Sequence, residues 1–279
     1  MSNPAADLIK LFNPETNSLW KFPILWEDEH VLAINKPAGI LTLHDPGYPE
    51  HDVLIPLLKA EISRGRAIWL KNRAISFLKP LNFLDLHASG VLLMGKNAEA
   101  EKSIKDQLNA DNPLETYLGI IDGIPESDEF EIDLKLLIRP FVSNIVKVTK
   151  QGKKSRSIIK VTEKFQGYSI ISAWPVTRRK EQLQAHLAYR NHPLVGDSKY
   201  GGQPLLLSEM KRRYRPNKYN EERPLLDRPG LHLKEIRFES TTHPGESVTI
   251  EAPLPKDMKA AIRYLQRYSQ PWTQEPQTD

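Results

Sequence analysis

The 279-residue chain contains no cysteine. Disulfides, thiolate nucleophiles, cysteine-bound zinc and iron–sulfur clusters are therefore all excluded. The composition is compatible with a reducing compartment. Long apolar runs are missing too, and nothing approaches the ~18 residues of a membrane-spanning helix. The opening stretch, MSNPAADLIKLFNPETNSLW, lacks a basic segment followed by an apolar one, so no secretory signal is expected. Excess charge of one sign is slight: 39 Lys and Arg stand against 35 Asp and Glu, for a net charge of +4. That total identifies no partner. No phosphate-cradling loop is written either, because Gly152-Lys153 is followed by Lys154 where Ser or Thr is needed, and Lys147 stands where the earlier glycine belongs. His186 and His192 do not share a helix face and no HExxH spacing occurs, so no metal site is expected.

Proline is plentiful, at 22 residues or about 8% against a usual ~5%, which favours many short elements joined by fixed turns. Strands are expected at Ile24–Trp26, His30–Asn35, Val91–Met94, Tyr117–Ile121, Ser157–Val161, Tyr168–Pro175 and Ser247–Glu251. Helices are expected at Ala98–Leu108, with acids in its first turn and Ile104 and Leu108 one turn apart, at Gln182–Tyr189, and at Asp257–Arg267. This mixture predicts an α+β fold rather than strict βαβ alternation.

Charge is sorted along the chain. Ala98 to Lys135 carries eleven acids against three lysines, whereas Pro140 to Lys218 carries seventeen Lys and Arg against four acids. Either these runs are solvated faces or the basic one meets a polyanion. Its strongest piece, Lys211-Arg212-Arg213-Tyr214-Arg215-Pro216-Asn217-Lys218-Tyr219, interleaves cations for phosphates with rings that stack on bases. Asp85 lies in the apolar segment Phe83-Leu84-Asp85-Leu86 before a small-residue turn and the Val91–Met94 run. It is either a turn cap or a functional carboxylate; if buried, it needs a cationic or hydrogen-bonding partner. Ser89 is not in a G-x-S-x-G elbow, and a hydrolase built on Asp85 and His87 would have no oxyanion site or metal.

From about Ile24 to Leu265 the chain resembles the RluA-type family of RNA pseudouridine synthases. Val31-Leu32-Ala33-Ile34-Asn35-Lys36-Pro37-Ala38-Gly39-Ile40 is similar to the family's opening K-P-a-G segment. The stretch around Asp85 resembles H-R-L-D-x-x-T-S-G-L-L-L, whose aspartate is catalytic, and Glu115-Thr116-Tyr117 resembles K-x-Y, which supplies an active-site tyrosine. Thr177 to Leu187 lies over T-G-R-T-H-Q-I-R-x-H-L, and Asn191 to Gly201 over G-H-P-I-x-G-D-x-x-Y-G. Leu231-His232-Leu233 and Glu251-Ala252-Pro253-Leu254-Pro255 match its C-terminal pattern. The departures are specific. Phe83 replaces the arginine implicated in taking the flipped base's place, Gln184 replaces the arginine that pairs with the catalytic aspartate, Asn82 replaces the preceding histidine, Ala88 the threonine and Glu115 the lysine.

The resemblance implies an isomerase that converts uridine to pseudouridine in structured RNA, rRNA or tRNA, using Asp85 and Tyr117 and no cofactor or metal. It also implies a pseudouridine-synthase-like, mainly antiparallel sheet with flanking helices. The catalytic domain is expected over residues 24–268, after an N-terminal extension at 1–23 and before a disordered tail at 269–279, with no S4-like domain. Gln184, Arg179 and Ser89 are expected to support the site, with Arg178 or Arg179 able to swing in for the missing arginine; without a cation, Asp85 should have a raised pKa and be a poorer nucleophile. Lys153, Lys154, Arg178, Arg179, Lys180, Lys211, Arg212, Arg213, Tyr214 and Arg215 are the expected RNA-binding residues. The protein is expected to be a cytoplasmic monomer that binds RNA and no membrane. The alternative is a catalytically impaired RNA-binding homologue.

Overall fold

Apolar residues alternate with polar ones along much of the chain, and such segments bury one face when laid side by side as strands. The computed structural model describes residues 8–65, 68–70, 73, 75–110, 112–139, 143–215, 221–243 and 245–269. Its strands are β1 (Leu8–Asn13), β2 (Ser18–Glu27), β3 (Val31–Lys36), β4 (Lys79–Pro80), β5 (Ser89–Gly95), β6 (Glu115–Asp122), β7 (Glu129–Arg139), β8 (Ser143–Val148), β9 (Lys153–Phe165), β10 (Tyr168–Pro175), β11 (Leu231–Glu239) and β12 (Ser247–Glu251). The helices are α1 (Leu54–Arg64), α2 (Ala98–Asn109), α3 (Gln182–Tyr189), the short α4 (Leu207–Met210) and α5 (Lys256–Tyr268). All twelve strands join one sheet in the order β1-β2-β3-β5-β11-β6-β10-β9-β7-β8, with β4 on β5 and β12 on β11. The pairs are antiparallel except β5 with β11, so the fold is α+β with a mixed, mainly antiparallel sheet. No helix among the described residues is long and apolar enough to cross a membrane.

Helices cover both faces because the central strands are apolar on both. Val91 and Leu93 of β5 face a cluster shared with Ile104 and Leu108 of α2 and Leu183 and Leu187 of α3. The alternate residues Leu92 and Met94 face Leu54 and Leu58 of α1. β6 repeats the pattern: Tyr117 and Ile121 join the α2–α3 side, while Ile120 packs with Met258 and Leu265 of α5. α2 starts at Asn97, whose side chain accepts from the Ala100 amide at 2.8 Å, with Glu99 and Glu101 in the first turn to complement the helix dipole.

The expected domain start at residue 24 falls inside β2. Ile9, Leu11 and Phe22 are buried in the α1-side cluster, so residues 8–23 form a hairpin that extends the sheet. Residues 1–7 and 270–279, and Pro216 to Tyr219 of the basic run, lie outside the described residues. Sorting of charge along the sequence is largely undone in space. Acidic β7 pairs with basic β9, and Arg156 bridges Glu131 at 2.9 Å, Lys160 bridges Glu129 and Lys164 bridges Asp128 at 2.5 Å. Several cations of the basic stretch are thus paired with the neighbouring strand.

Across β5, β11 and β6 the residues Gly90, Leu233 and Tyr117 stand in one row. Gly90 has φ of +126°, and an added Cβ would lie 2.1 Å from the Leu233 carbonyl oxygen; only glycine fits. Gly90→Ala is expected to lower stability by about 3 kcal/mol or more, measured by urea unfolding.

Candidate active site

Asp85 sits on the turn that leads from β4 into β5, and the turn is fastened through its backbone. Buried Lys36, at the end of β3, donates to the carbonyls of Pro37 and Ala88 at 3.1 Å and of Asp85 at 3.4 Å. Thr42 donates to the Leu84 carbonyl at 3.0 Å, and Arg228 to that of His87 at 3.0 Å. Leu84 and Leu86 point inward, which leaves the Asp85 side chain to project into a cleft of about 570 Å³. Tyr117, Phe83, Gln184, Arg179 and Lys180 also line this cleft. Phe83 is 54% exposed.

The start of α3 completes the site. Gln182 accepts from the Thr177 hydroxyl at 2.8 Å and the Arg179 amide at 3.2 Å, and donates to Ser157 and the Arg156 carbonyl at 2.9 Å. That anchorage brings the Glu181 amide to the Asp85 carboxylate, at 3.2 Å from Oδ2 and 3.4 Å from Oδ1. Gln184 Nε2 donates to Oδ2 at 3.1 Å. No lysine or arginine among the described residues forms an ion pair with this carboxylate. Burial, and next the charge of Glu181, push the Asp85 carboxyl up to about 6, against the pull of Gln184, the Glu181 amide and Lys180. Burial likewise brings the Lys36 ammonium down to about 7, with Asp85 opposing and Arg228 assisting. Tyr117 is held well above 10 by burial and by Glu115 and Asp85, and stays a neutral phenol.

Both expected substitutes for the missing arginine line the cleft, but neither forms an ion pair with Asp85. Arg178 binds buried Glu115 at 2.8 Å and donates to the Leu108 and Asn112 carbonyls; Asn82 supplies Glu115 with a further bond at 3.2 Å. Arg179 is exposed at the cleft wall. Ser89 does not line the cleft. His232 donates through Nε2 to the Ala252 carbonyl, since a carbonyl only accepts, so its Nδ1 accepts from Ser89 at 2.9 Å. Lys153 and Lys154 are exposed at the start of β9 and do not line the cleft. Lys180 pairs with Asp45 at 2.5 Å. Lys211, Arg212, Arg213 and Tyr214 border a separate hollow of about 820 Å³ beside α5, while Arg215 is exposed. α5 packs on the sheet face opposite Tyr117, so that loop and the cleft are on different sides.

Sequence reasoning missed a second group. On the other side of Asp85 a cavity of about 440 Å³ is lined by Glu181, Asp197, Lys199, Tyr200, Tyr48 and Arg228, among others. Burial and the Glu181 charge push the Asp197 carboxyl up to about 7. Lys36 and the GDxxYG-like segment were visible as motif residues, but no spacing signalled their contact with Asp85.

A family model described as RNA pseudouridylate synthase matches residues 30–189. Ribosomal large subunit pseudouridine synthase C of Escherichia coli strain K12 is 31% identical over 246 residues, covering 87% of this chain and 69% of the relative. The protein of the same name from Yersinia pestis is 30% identical over 253 residues, covering 88% and 69%. Two solved human structures share the fold. RNA pseudouridylate synthase domain containing 4 aligns with a TM-score of 0.65 at 15% identity, covering 87% of this chain and 92% of that one. Domain containing 1 aligns with a TM-score of 0.61 at 20% identity, covering 91% of each.

Glu115 and Arg178 form a buried pair, so removing the cation alone strands a charge. Arg178→Met is expected to cost about 3–5 kcal/mol at neutral pH. The Glu115 carboxyl is already raised by burial, so in the folded state it holds its proton more tightly than when unfolded. The loss should therefore shrink as pH falls, which urea titrations at several pH values measure.

Proposed function

The chain belongs to the RNA pseudouridylate synthase family, and on that footing we propose that Asp85 is the carboxylate on which its isomerisation of uridine depends. The reaction breaks the bond between ribose and nitrogen 1 of uracil and joins the ribose to carbon 5, which loses its proton as nitrogen 1 gains one. A carboxylate either attacks the sugar or stabilises its developing positive charge while the base is detached. The supporting observation is that Asp85 presents a carboxylate in a cleft with ample room for a nucleobase, beside Tyr117, with neutral donors on it. Tyr117, a neutral phenol, is suited to stacking on the uracil; the proton from carbon 5 leaves to a base other than tyrosinate.

The target base must leave its stack to enter the cleft, at roughly a few kcal/mol. Phe83 offers an exposed ring at the cleft wall for the space vacated, as apolar wedges do in bent duplexes. The relatives' names refer to the large ribosomal subunit, and structured ribosomal RNA is the substrate we assign. Arg179 and Lys180 meet it near the cleft; Lys153, Lys154 and Lys211 to Arg215 extend the contact to more distant phosphates. The isomerisation requires no cofactor or metal, and the reading is of a monomer acting in the cytoplasm. That no cation among the described residues pairs with Asp85 favours one rival, an RNA-binding homologue with impaired chemistry.

Asp85→Asn separates the two. It should abolish pseudouridine formation on ribosomal RNA, as read by site mapping, while the protein stays folded. Ionising Asp85, whose pKa rises from 3.8 to about 6, costs the fold up to about 3 kcal/mol. That cost is absent below the ordinary value and complete above about 6, so the variant should gain stability relative to the wild type as pH rises through that window. Unchanged modification in Asp85→Asn overturns the reading. Phe83→Ala is expected to slow modification of a folded RNA about tenfold, the scale of a lost base stack, and to spare an unstructured oligonucleotide carrying the same uridine.

A further inference from the structure

Glu181 has a backbone that its residue type disfavours. With φ of +49° and ψ of +32°, just before α3, it occupies the left-handed region, which costs a non-glycine residue about 1 kcal/mol or more. Asparagine and aspartate relieve that cost by local hydrogen bonds; glutamate does not. Its side chain is held instead by distant groups. The carboxylate, on a residue 4% exposed, takes Lys199 on both oxygens at 2.6 and 2.7 Å. The Tyr200 hydroxyl donates to it at 2.6 Å and that of Tyr48 at 3.4 Å. Lys199 also donates to the Tyr48 hydroxyl at 3.0 Å, and Tyr200 accepts the Val146 amide at 2.9 Å. The left-handed turn is what aims the residue's own N–H at Asp85.

We propose that Glu181 is a positioning residue for Asp85: its carboxylate, locked by Lys199, Tyr200 and Tyr48, fixes the left-handed backbone whose amide holds the Asp85 carboxylate, with which no cation among the described residues pairs. This rests on Asp85 being the catalytic carboxylate. Glu181 is not itself an acid or base in the reaction, because both its oxygens are occupied. It acts twice on Asp85, through the amide it aims and through the negative charge it places behind that amide. Lys180, Lys36, Lys199 and Arg228 also face Asp85 with positive charge, Asp197 with negative, and His87 and Tyr117 as neutral neighbours. The charge of Glu181 is thus tested by difference, with these groups unchanged.

Glycine takes the left-handed conformation freely, whereas alanine does not. In single-turnover assays on ribosomal RNA, Glu181→Ala should lose about tenfold or more of the plateau rate, with unchanged RNA affinity, and Glu181→Gly should recover several-fold of that loss. Glu181→Gly, which keeps the amide and drops the charge, should move the acid limb of the pH–rate profile down by about half a unit or more, as expected for removing a neighbouring negative charge, whereas in Glu181→Ala the lost amide opposes that shift. Lys199→Met keeps the glutamate and unlocks it; it should slow the plateau as Glu181→Ala does and move the acid limb the other way, and it serves as the second variant if the alanine protein does not fold. A Glu181→Ala protein with wild-type rate and pH profile overturns the proposal, as does a glycine variant no faster than alanine. If Asp85→Asn stays active in the same assay, the catalytic reading fails instead, and the two failures are distinguishable.

Discussion

A half-buried carboxylate that no cation among the described residues pairs with is the constraint around which the site is arranged. Taking the Asp85 charge out of water costs several kcal/mol, and two neutral donors return only about 1–3 kcal/mol each. The shortfall appears as a carboxyl raised to about 6 rather than as a group kept neutral. At pH 7 about nine-tenths of it is still ionised. A bidentate guanidinium would hold the carboxylate lower and also make it less basic. The missing arginine therefore need not silence the site. The charge survives on a more basic oxygen, provided the amide and Gln184 stay in place.

Several other features follow from that need. Lys36, Thr42 and Arg228 grip the turn by its carbonyls, so the backbone under Asp85 is fixed without a cation touching the carboxylate. Arg178, one of three cations just before α3, is taken by Glu115. Glu115 and Arg178 satisfy one another, so that pair takes up a cation that could otherwise have turned to Asp85. The sheet supplies the frame: one row through Gly90, Leu233 and Tyr117 sets the phenol beside the turn.

Much of this was legible in the sequence, and what was not has physical causes. Strands at Tyr168–Pro175 and Ser247–Glu251 and the helix at Gln182–Tyr189 have the expected bounds, because their apolar periodicity is undisturbed. β7 carries the same alternation in Phe130, Ile132, Leu134 and Leu136, but its interleaved acids read as a charge run until β9 supplies their partners. α1 opens with Pro56 in its first turn, which a helix tolerates there and which reads locally as a breaker. Asp85, Tyr117 and Gln184 were identified from motif position, and all three line one cleft. Glu181 was not, because a left-handed glutamate leaves no pattern in sequence and its partners lie 18 and 19 residues away at Lys199 and Tyr200 and 133 away at Tyr48. Arg178 stands as a spare cation in the sequence because its partner Glu115 is 63 residues distant.

The central claim concerns the state of one carboxyl group, and a carbon-13 NMR titration of the free protein reads it directly. The Asp85 resonance is assigned by its absence from Asp85→Asn. The account predicts a midpoint near 6. A midpoint at or below the ordinary 3.8 would mean that a cation or stronger donors hold the carboxylate, and would contradict it.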